Sequence, residues 1–458
     1  MMRPEPTGPF AWFLVVLATA VDAQIGTGPQ PDRAESGRFI VSPNQLSQKQ
    51  SLEYNLRDNY CWLLAHTSVR AGNEIVINDG MAKYIVSARL NGSTTSQEVE
   101  VPDLNAWTMS LPLDKDFPVN EPPLQLWHPR NSLTHPPANR GGLWSNGTHI
   151  FSVGGHYYNA SRYMDSYYAV PQDSIPPFEI WAGDVQRRQW AKVDHVATPG
   201  ERLDRTVSGA AMCVVKEGKD VNKCYYLGGY KSTRTSSQLP DNWALSQRAM
   251  LEFNPETLTI RNDTKSTDGY GDPDMGYQFG TLHHIPVGCG SGILVSLMAE
   301  QSPLNLVSDT DDDLRGPAVN TTTVMVYDID SRTWYHQKTA RGLEDERPPP
   351  RTRYCGDVVY SESTKSWDLW IYGGQFVDHP DDGMEDVHVL TMPKFQWVRL
   401  DLKTPPGVPS PKAIRGHTCH AVNSQLLVLG GTARGLEVNQ VLVELRTGIR
   451  SSGGGVRG

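Results

Sequence analysis

Leu369-Trp370-Ile371-Tyr372-Gly373-Gly374-Gln375 sends an apolar, aromatic-rich strand straight into a glycine pair. The same event recurs at Ile150-Phe151-Ser152-Val153-Gly154-Gly155, Tyr225-Tyr226-Leu227-Gly228-Gly229 and Leu427-Val428-Leu429-Gly430-Gly431. A recurring strand-then-glycine unit marks a repeat architecture, and that decides the fold ahead of any other reading. Gly155 to Gly229 is about 74 residues and Gly229 to Gly374 about 145, or two such steps, so a unit is expected in between. Gly292-Ile293-Leu294-Val295-Ser296-Leu297-Met298-Ala299 fills the gap, with Met298 and Ala299 in the glycine places. The step from Gly374 to Gly431 is shorter, about 57, as variable loops allow. One step before Gly155 stands Glu74-Ile75-Val76-Ile77-Asn78-Asp79-Gly80, a further degenerate copy that brings the count to six units.

A second mark keeps the same beat. About 23–35 residues after each pair, a strand ends in a polar turn followed by Trp, the spacing of a hairpin plus loop. Val324-Met325-Val326-Tyr327-Asp328-Ile329-Asp330-Ser331-Arg332-Thr333-Trp334 is the clearest case. Trp190, Trp397 and Trp107 match it, and Ile260 holds the place in the third unit. A third mark opens the first strand of a unit: Arg415-Gly416-His417-Thr418, Arg351-Thr352-Arg353-Tyr354 and Ala65-His66-Thr67-Ser68.

Arg closely followed by His or Tyr, then a strand into Gly-Gly, then Tyr-Asp-x5-Trp resembles the kelch repeat, one blade of a β-propeller. The resemblance covers residues 59–445. Blade order, targeting signal and long loops look like the secreted or membrane-anchored kelch proteins of fungi, with a galactose oxidase-like central domain. It implies an all-β fold, a six-bladed kelch β-propeller of four-stranded antiparallel blades. Function does not follow from it, because one fold hosts many activities.

Composition agrees with the repeat. Length alone would suggest two or three domains for 458 residues, but the pitch makes them one ring. Charged residues at 20%, Gly 41 and Pro 33 suit short strands and many turns. A net charge of −9 with no run of Lys and Arg argues against a nucleic-acid partner, which needs a basic stripe.

Residues 1–23 read as a signal peptide: Arg3, an apolar run from Phe10 to Val21, and Val21-Asp22-Ala23 ahead of a cleavage before Gln24. The run is too short to span a bilayer, which takes about twenty residues. Residues 24–58 form a polar leader in which Phe39-Ile40-Val41 is either a ring-closing strand or part of a disordered leader. Sequons follow the secretion reading at Asn91, Asn146, Asn159, Asn262 and Asn320. Six cysteines in an exported chain favour disulfides. Cys213 and Cys224 flank one strand–loop–strand and are the best pair. Cys355 and Cys419 hold matching places in consecutive units and are either bridged or free, and Cys61 and Cys289 are left unassigned. Residues 446–458 form a Gly/Ser-rich flexible tail after the third strand of the last unit. Its outer strand comes either from the leader or from sequence beyond a truncation.

Candidate chemistry is sparse. Arg415-Gly416-His417-Thr418-Cys419-His420 is the densest set of metal-ligand types, but strand alternation sends His417 and Cys419 to one side and His420 to the other. The kelch pattern also gives His417 a structural role, bonding a neighbouring blade's backbone. His283-His284 and Tyr354-Cys355 fail on the same alternation, the latter despite its likeness to the Tyr–Cys crosslink of copper radical oxidases. Asp309-Thr310-Asp311-Asp312-Asp313 opens like a calcium loop, yet Leu314 replaces the turn glycine and Asn320 the bidentate Glu. No nucleophile elbow, phosphate loop or zinc-helix motif is present. Neither a catalytic residue nor a metal or other cofactor is therefore assigned. Among 12 Trp, Trp107, Trp190, Trp334 and Trp397 occupy the packing position, whereas Trp127 and Trp243 fall in or near loops and are the binding candidates. The expected function is a secreted, glycosylated binding module for a protein or cell-wall polysaccharide at the cell surface or wall. Loops 112–138, 231–249, 261–278 and 301–319 would carry recognition. The rivals are a metal-dependent oxidase or lyase on the same fold, and the ectodomain of a membrane-anchored kelch protein truncated before its span.

Overall fold

The computed structural model describes residues 60–105, 107–117, 122–127, 135–157, 170–214, 223–240, 243–263, 267–304, 307–308, 316–340, 346–378, 383–401, 412–423, 425–432 and 442–447, with residues 14–17 and 39–40 ahead of them. Among these, every regular element is a strand apart from the 3-10 turn Gln172–Ser174.

The sheets follow the repeat. The first comprises Thr67–Ala71, Glu74–Asn78, Met109–Pro112 and Gln125–Leu126, and the second Gly142–Ser145, His149–Val153, Ile180–Asp184 and Gln189–Lys192. The third holds Ala210–Cys213, Cys224–Leu227, Met250–Asn254 and Thr259–Asn262, with Val196–Ala197 added in parallel at its outer edge. Thr281–Ile285, Ile293–Leu297, Thr323–Asp328 and Thr333–Lys338 make the fourth. Cys355–Ser361, Ser366–Tyr372, Val387–Met392 and Gln396–Leu400 make the fifth. The sixth contains Thr418–Val422, Gln425–Leu429 and Leu442–Thr447. Its fourth strand, Leu14–Leu17, runs antiparallel to Leu442–Thr447 with Leu14 opposite Thr447. Cleavage before Gln24 would remove that strand, so the leader reading and this pairing describe different forms of the chain.

First strands neighbour one another in sequence order, from Thr67–Ala71 through Gly142–Ser145, Ala210–Cys213, Thr281–Ile285 and Cys355–Ser361 to Thr418–Val422, which lies beside Thr67–Ala71 again. Apolar clusters fill the spaces between consecutive sheets, for example Trp370, Tyr372, Val389 and Val428 between the fifth and sixth. Burying such side chains supplies the driving force, about 1.5–3 kcal/mol for each.

The glycine pairs explain how the sheets dock. Gly228 has φ +71° and Gly229 φ +89°. A Cβ on Gly228 would stand 2.3 Å from the carbonyl oxygen of Tyr277, on the strand just ahead of the fourth sheet, and one on Gly229 would stand 2.5 Å from Val207 O. Only a residue without Cβ admits that approach. The gain is a hydrogen bond across the seam, Gly229 N–H to Tyr277 O at 2.7 Å. It recurs as Gly155 to Thr206, Gly374 to Ile414, Gly431 to Leu63 and, from the first degenerate unit, Gly80 to Ala138. In the other degenerate unit Ala299 N–H turns back to Gln278 O. There a cleft of about 50 Å³ opens between the fourth and fifth sheets, lined by Met298, Tyr277, Arg351, Tyr354 and Trp397.

Up-and-down order places the long connections on one face. Strands one to two and three to four turn mostly within a few residues, as at 146–148, 185–188, 255–258 and 362–365. The second-to-third connections and the sheet-to-sheet crossings carry the insertions. All four stretches expected to be loops carry strands, 112–138 holding Gln125–Leu126 of the first sheet. Tyr230–Ser232, Ala244–Ser246 and Val307–Ser308 form a three-stranded sheet, and Met275–Gln278 pairs with Glu300–Pro303. Phe39–Ile40 does not meet the last sheet. It lies parallel to Ser96–Leu104, in a sheet with Met81–Arg89 and Tyr60–Leu64 on the same face.

Candidate functional site

The approach to each sheet's first strand lies on the face that carries the insertions. Just ahead of each inner strand, one residue adopts positive φ: Ala65 (55°), Arg140 (54°), Ser208 (60°), Phe279 (58°), Arg353 (57°) and Gly416 (66°). For the five that are not glycine this is a costly conformation that persists only where surroundings impose it. Here a chain of backbone hydrogen bonds does so. Arg140 N–H reaches Ala65 O (2.9 Å), Ser208 reaches Arg140 (2.8 Å), Phe279 reaches Ser208 (2.8 Å), Gly416 reaches Arg353 (2.9 Å) and Ala65 reaches Gly416 (3.0 Å). The guanidinium carbons of Arg140 and Arg353 lie 5.6 and 5.3 Å from the Phe279 ring centroid. Each cation is attracted to the π-face of that ring, while the two like charges repel one another. Other arginines of the opening motif are structural. Arg205 donates to Gly154 O, and Arg351 donates to Gly373 O while gripping both oxygens of Asp386 at 2.7 and 2.9 Å.

At the inner edge, where the first and sixth sheets meet, polar groups replace apolar ones. His66 Nε2 lies 2.8 Å from Thr418 Oγ1, which lies 2.6 Å from Ser68 Oγ, which in turn lies 2.6 Å from His420 Nε2. Asp357 accepts from Ala421 N–H at 2.7 Å and Val358 N–H at 2.8 Å. Burial pushes its carboxyl up to about 6. Burial lowers His66 to about 3, helped by the charges His417 and His420 would carry. It likewise lowers His417 and His420 to about 4, the latter helped by Arg70, and His283 to about 3. An imidazole whose folded pKa lies below its usual 6.5 contributes stability that is complete above 6.5 and lost as pH falls toward the folded value. Asp357 acts with the opposite sign, stabilising at low pH and losing that contribution as pH rises through about 6.

The tryptophan assignments need correction. Trp127 is not a surface residue: it is 2% exposed, donates its indole N–H to Ser110 Oγ at 2.9 Å and packs 5.8 Å from Trp190. The hairpin Met81–Arg89/Ser96–Leu104 sits between the second and third strands of the first sheet, so its outer strand is Gln125–Leu126 and Trp127, not Trp107, holds the packing place. The dipeptide Leu126-Trp127 was the signal, hidden by the insertion. Trp243 is 40% exposed, in the long connection of the third sheet. Trp334 and Trp397 are buried, at 5% and 0%.

His417 bonds Tyr372 O at 3.2 Å in the neighbouring sheet. His284 turns to Ser291 O at 2.8 Å, while a Cβ on Gly356 of the fifth sheet would lie 3.3 Å from His283 Nε2. Tyr354 O–H donates to Leu297 O. Cys213 and Cys224, opposite one another in the third sheet, are bridged (S–S 1.98 Å). Cys355 and Cys419 are bridged across the fifth and sixth sheets (2.07 Å), and Cys289 is a free, exposed thiol. Asn91 and Asn320 are exposed, and Asn146 and Asn262 are half-buried. Asn159, the side chain of Cys61, residues 309–313 and the tail beyond Thr447 lie outside the described residues. Among the described residues, no three His, Cys, Asp or Glu side chains are grouped to hold a metal ion, and no helix is long and apolar enough to cross a membrane.

No family model matches the chain. It is similar to a kelch repeat-containing protein of Arthroderma benhamiae (strain ATCC MYA-4681 / CBS 112371), 24% identical over 364 residues. That match takes in 71% of this chain and 48% of the relative, so the chain spans about half of the relative's length. The solved structure of YjhT overlays 85% of this chain and 96% of its own at 10% identity, with a TM-score of 0.48. Similarity in sequence to a kelch repeat-containing protein agrees with the glycine-pair repeat and with the many four-stranded antiparallel sheets: the chain is all-β and consistent with a kelch propeller.

Proposed function

We propose that this chain is a closed, six-bladed kelch propeller, secreted and glycosylated, that serves as a binding module for a protein or a cell-wall polysaccharide. The carrying observation is the one-sided distribution of its connections. The extra sheets, the mouth of the proposed ring with Arg140, Phe279 and Arg353, and the exposed Trp243 and Phe376 belong to the same face, whereas Val196–Ala197 is added at the third sheet's outer edge. Rigid strands that present varied connections on one side are the usual platform for recognition. The test pairs two tryptophans, with retention on insoluble cell-wall glucan and chitin and on arrayed surface proteins as the assay. Trp243→Ala is expected to weaken retention at least about ten-fold, the scale of an aromatic hot spot, with its melting temperature nearly unchanged. Trp334→Ala is expected to cost about 3–5 kcal/mol of stability, as for a buried Trp. Equal behaviour of the two variants, or no retention of the unmodified protein on any support, contradicts the reading.

Secretion rests on the signal-like N-terminus, the sequons and the two disulfides. N-terminal sequencing of protein from culture medium is expected to begin at Gln24. Intact residues 14–17 would instead favour the form in which they complete the sixth sheet. The relative, about twice as long as the stretch it shares with this chain, favours a second reading as the ectodomain of a membrane-anchored protein. A longer transcript continuing past Leu445 would support it.

A further inference from the structure

We propose that the seam between the first and sixth sheets is an acid-released closure, held by the side-chain chain His66–Thr418–Ser68–His420 only while one of the two Nε2 atoms stays unprotonated and can accept. This rests on the closed-ring reading above. Two other seams are fastened differently: Trp144 stacks near Phe253 between the second and third sheets, and the fifth and sixth share the Cys355–Cys419 bond. At the first–sixth seam, three hydrogen bonds join four side chains from residues about 350 apart in sequence.

The proton count makes this chain sensitive. Three bonds need three protons, and the two hydroxyls supply two of them, so one Nε2–H completes the set. Protonating the second imidazole brings a fourth proton, leaving one hydroxyl donor without an acceptor inside the chain. It also places a cation at the seam, and a second once both rings are protonated. The charged groups facing it offer little relief. Arg70, on Thr67–Ala71 with Ser68, adds positive charge, as would His417. Asp357, from the fifth sheet, is tied to the backbone N–H groups of Ala421 and Val358. Asp79, in the turn packed on His66, accepts from Ala138 N–H. Among the described residues neither imidazole hydrogen-bonds a carboxylate. Burial is the main cause of the low imidazole values at this seam, helped at His66 by His417 and His420 and at His420 by Arg70. Because Cys355–Cys419 ties the sixth sheet to the fifth, release is confined to the other side, where Ala65 N–H meets Gly416 O and Gly431 N–H meets Leu63 O.

Hydrogen–deuterium exchange of the full secreted chain, at about pH 7.5 and about pH 5 with intrinsic rates corrected, reads those amides directly. Peptides covering residues 63–71 and 416–431 are expected to exchange at least about ten-fold faster in acid, while peptides 142–153 and 210–227 keep their protection. His66→Gln and His420→Gln, which keep polar groups without a titratable ring, should flatten the response. Should either fail to fold, Ser68→Ala breaks the chain by deletion and is expected to raise seam exchange already at neutral pH, so that its further rise in acid is smaller than in the unmodified chain. An acid response shared by all seams, or one that persists undiminished in these variants, overturns the proposal.

Discussion

Replacing Gly228 by valine is expected to cost about 4 kcal/mol of stability, summed from backbone strain and a displaced hydrogen bond. The residue sits at φ +71° and its missing Cβ leaves room for Tyr277 O, to which Gly229 N–H bonds at 2.7 Å. A side chain there must either push the strand that carries Tyr277 off the third sheet or give up that bond. A β-branched residue adds the poorest fit to positive φ. Gly92→Ala is the control: Gly92 is also at positive φ (79°) but has nothing within 4 Å of its Cβ, so only the conformational term of about 1–2 kcal/mol remains. Urea unfolding of both variants separates packing from strain, and equal costs would remove the glycine pairs from the docking account.

Removing both Cys355 and Cys419, by substitution with alanine, is expected to cost about 4 kcal/mol, because the bond closes a loop of 64 residues in the unfolded chain. The Cys213–Cys224 bond, with a separation of 11, is expected to give about 3 kcal/mol. The longer loop also joins two sheets rather than one hairpin. Its loss should therefore loosen the fifth–sixth seam around Trp370 and Val428 as well as lower the unfolding midpoint. Midpoints that rank the two double variants in the reverse order would mean that the inter-sheet bond acts mainly within the hairpin cores.

What the sequence shows most directly is the backbone. Glycine pairs are visible because the chain needs them where sheets touch, and where Met298-Ala299 stand in their place Ala299 N–H turns to Gln278 O instead. Trp334 and Trp397 are visible because a turn of fixed length leads into them. Trp127 was misplaced because a strand hairpin inserted before it broke the count from Asn78, and insertion length leaves no trace in local periodicity. Small strands such as Ala244–Ser246 were unreadable for a related reason: three residues hold too little alternation to carry a signal. The polar seam lay outside reach altogether. Ser68 and His420 meet because Thr67–Ala71 lies beside Thr418–Val422, and no spacing rule connects residues so distant.

Closure of the ring is the central claim, and engineered crosslinking tests it most directly. Ser68 and Thr418 have their hydroxyl oxygens 2.6 Å apart. Ser68→Cys combined with Thr418→Cys, secreted under oxidising conditions, is expected to yield an intramolecular peptide pair linking 63–71 to 416–431 on non-reducing mass mapping. Two free thiols, or bonds found only between separate molecules, would mean that the first and sixth sheets do not meet.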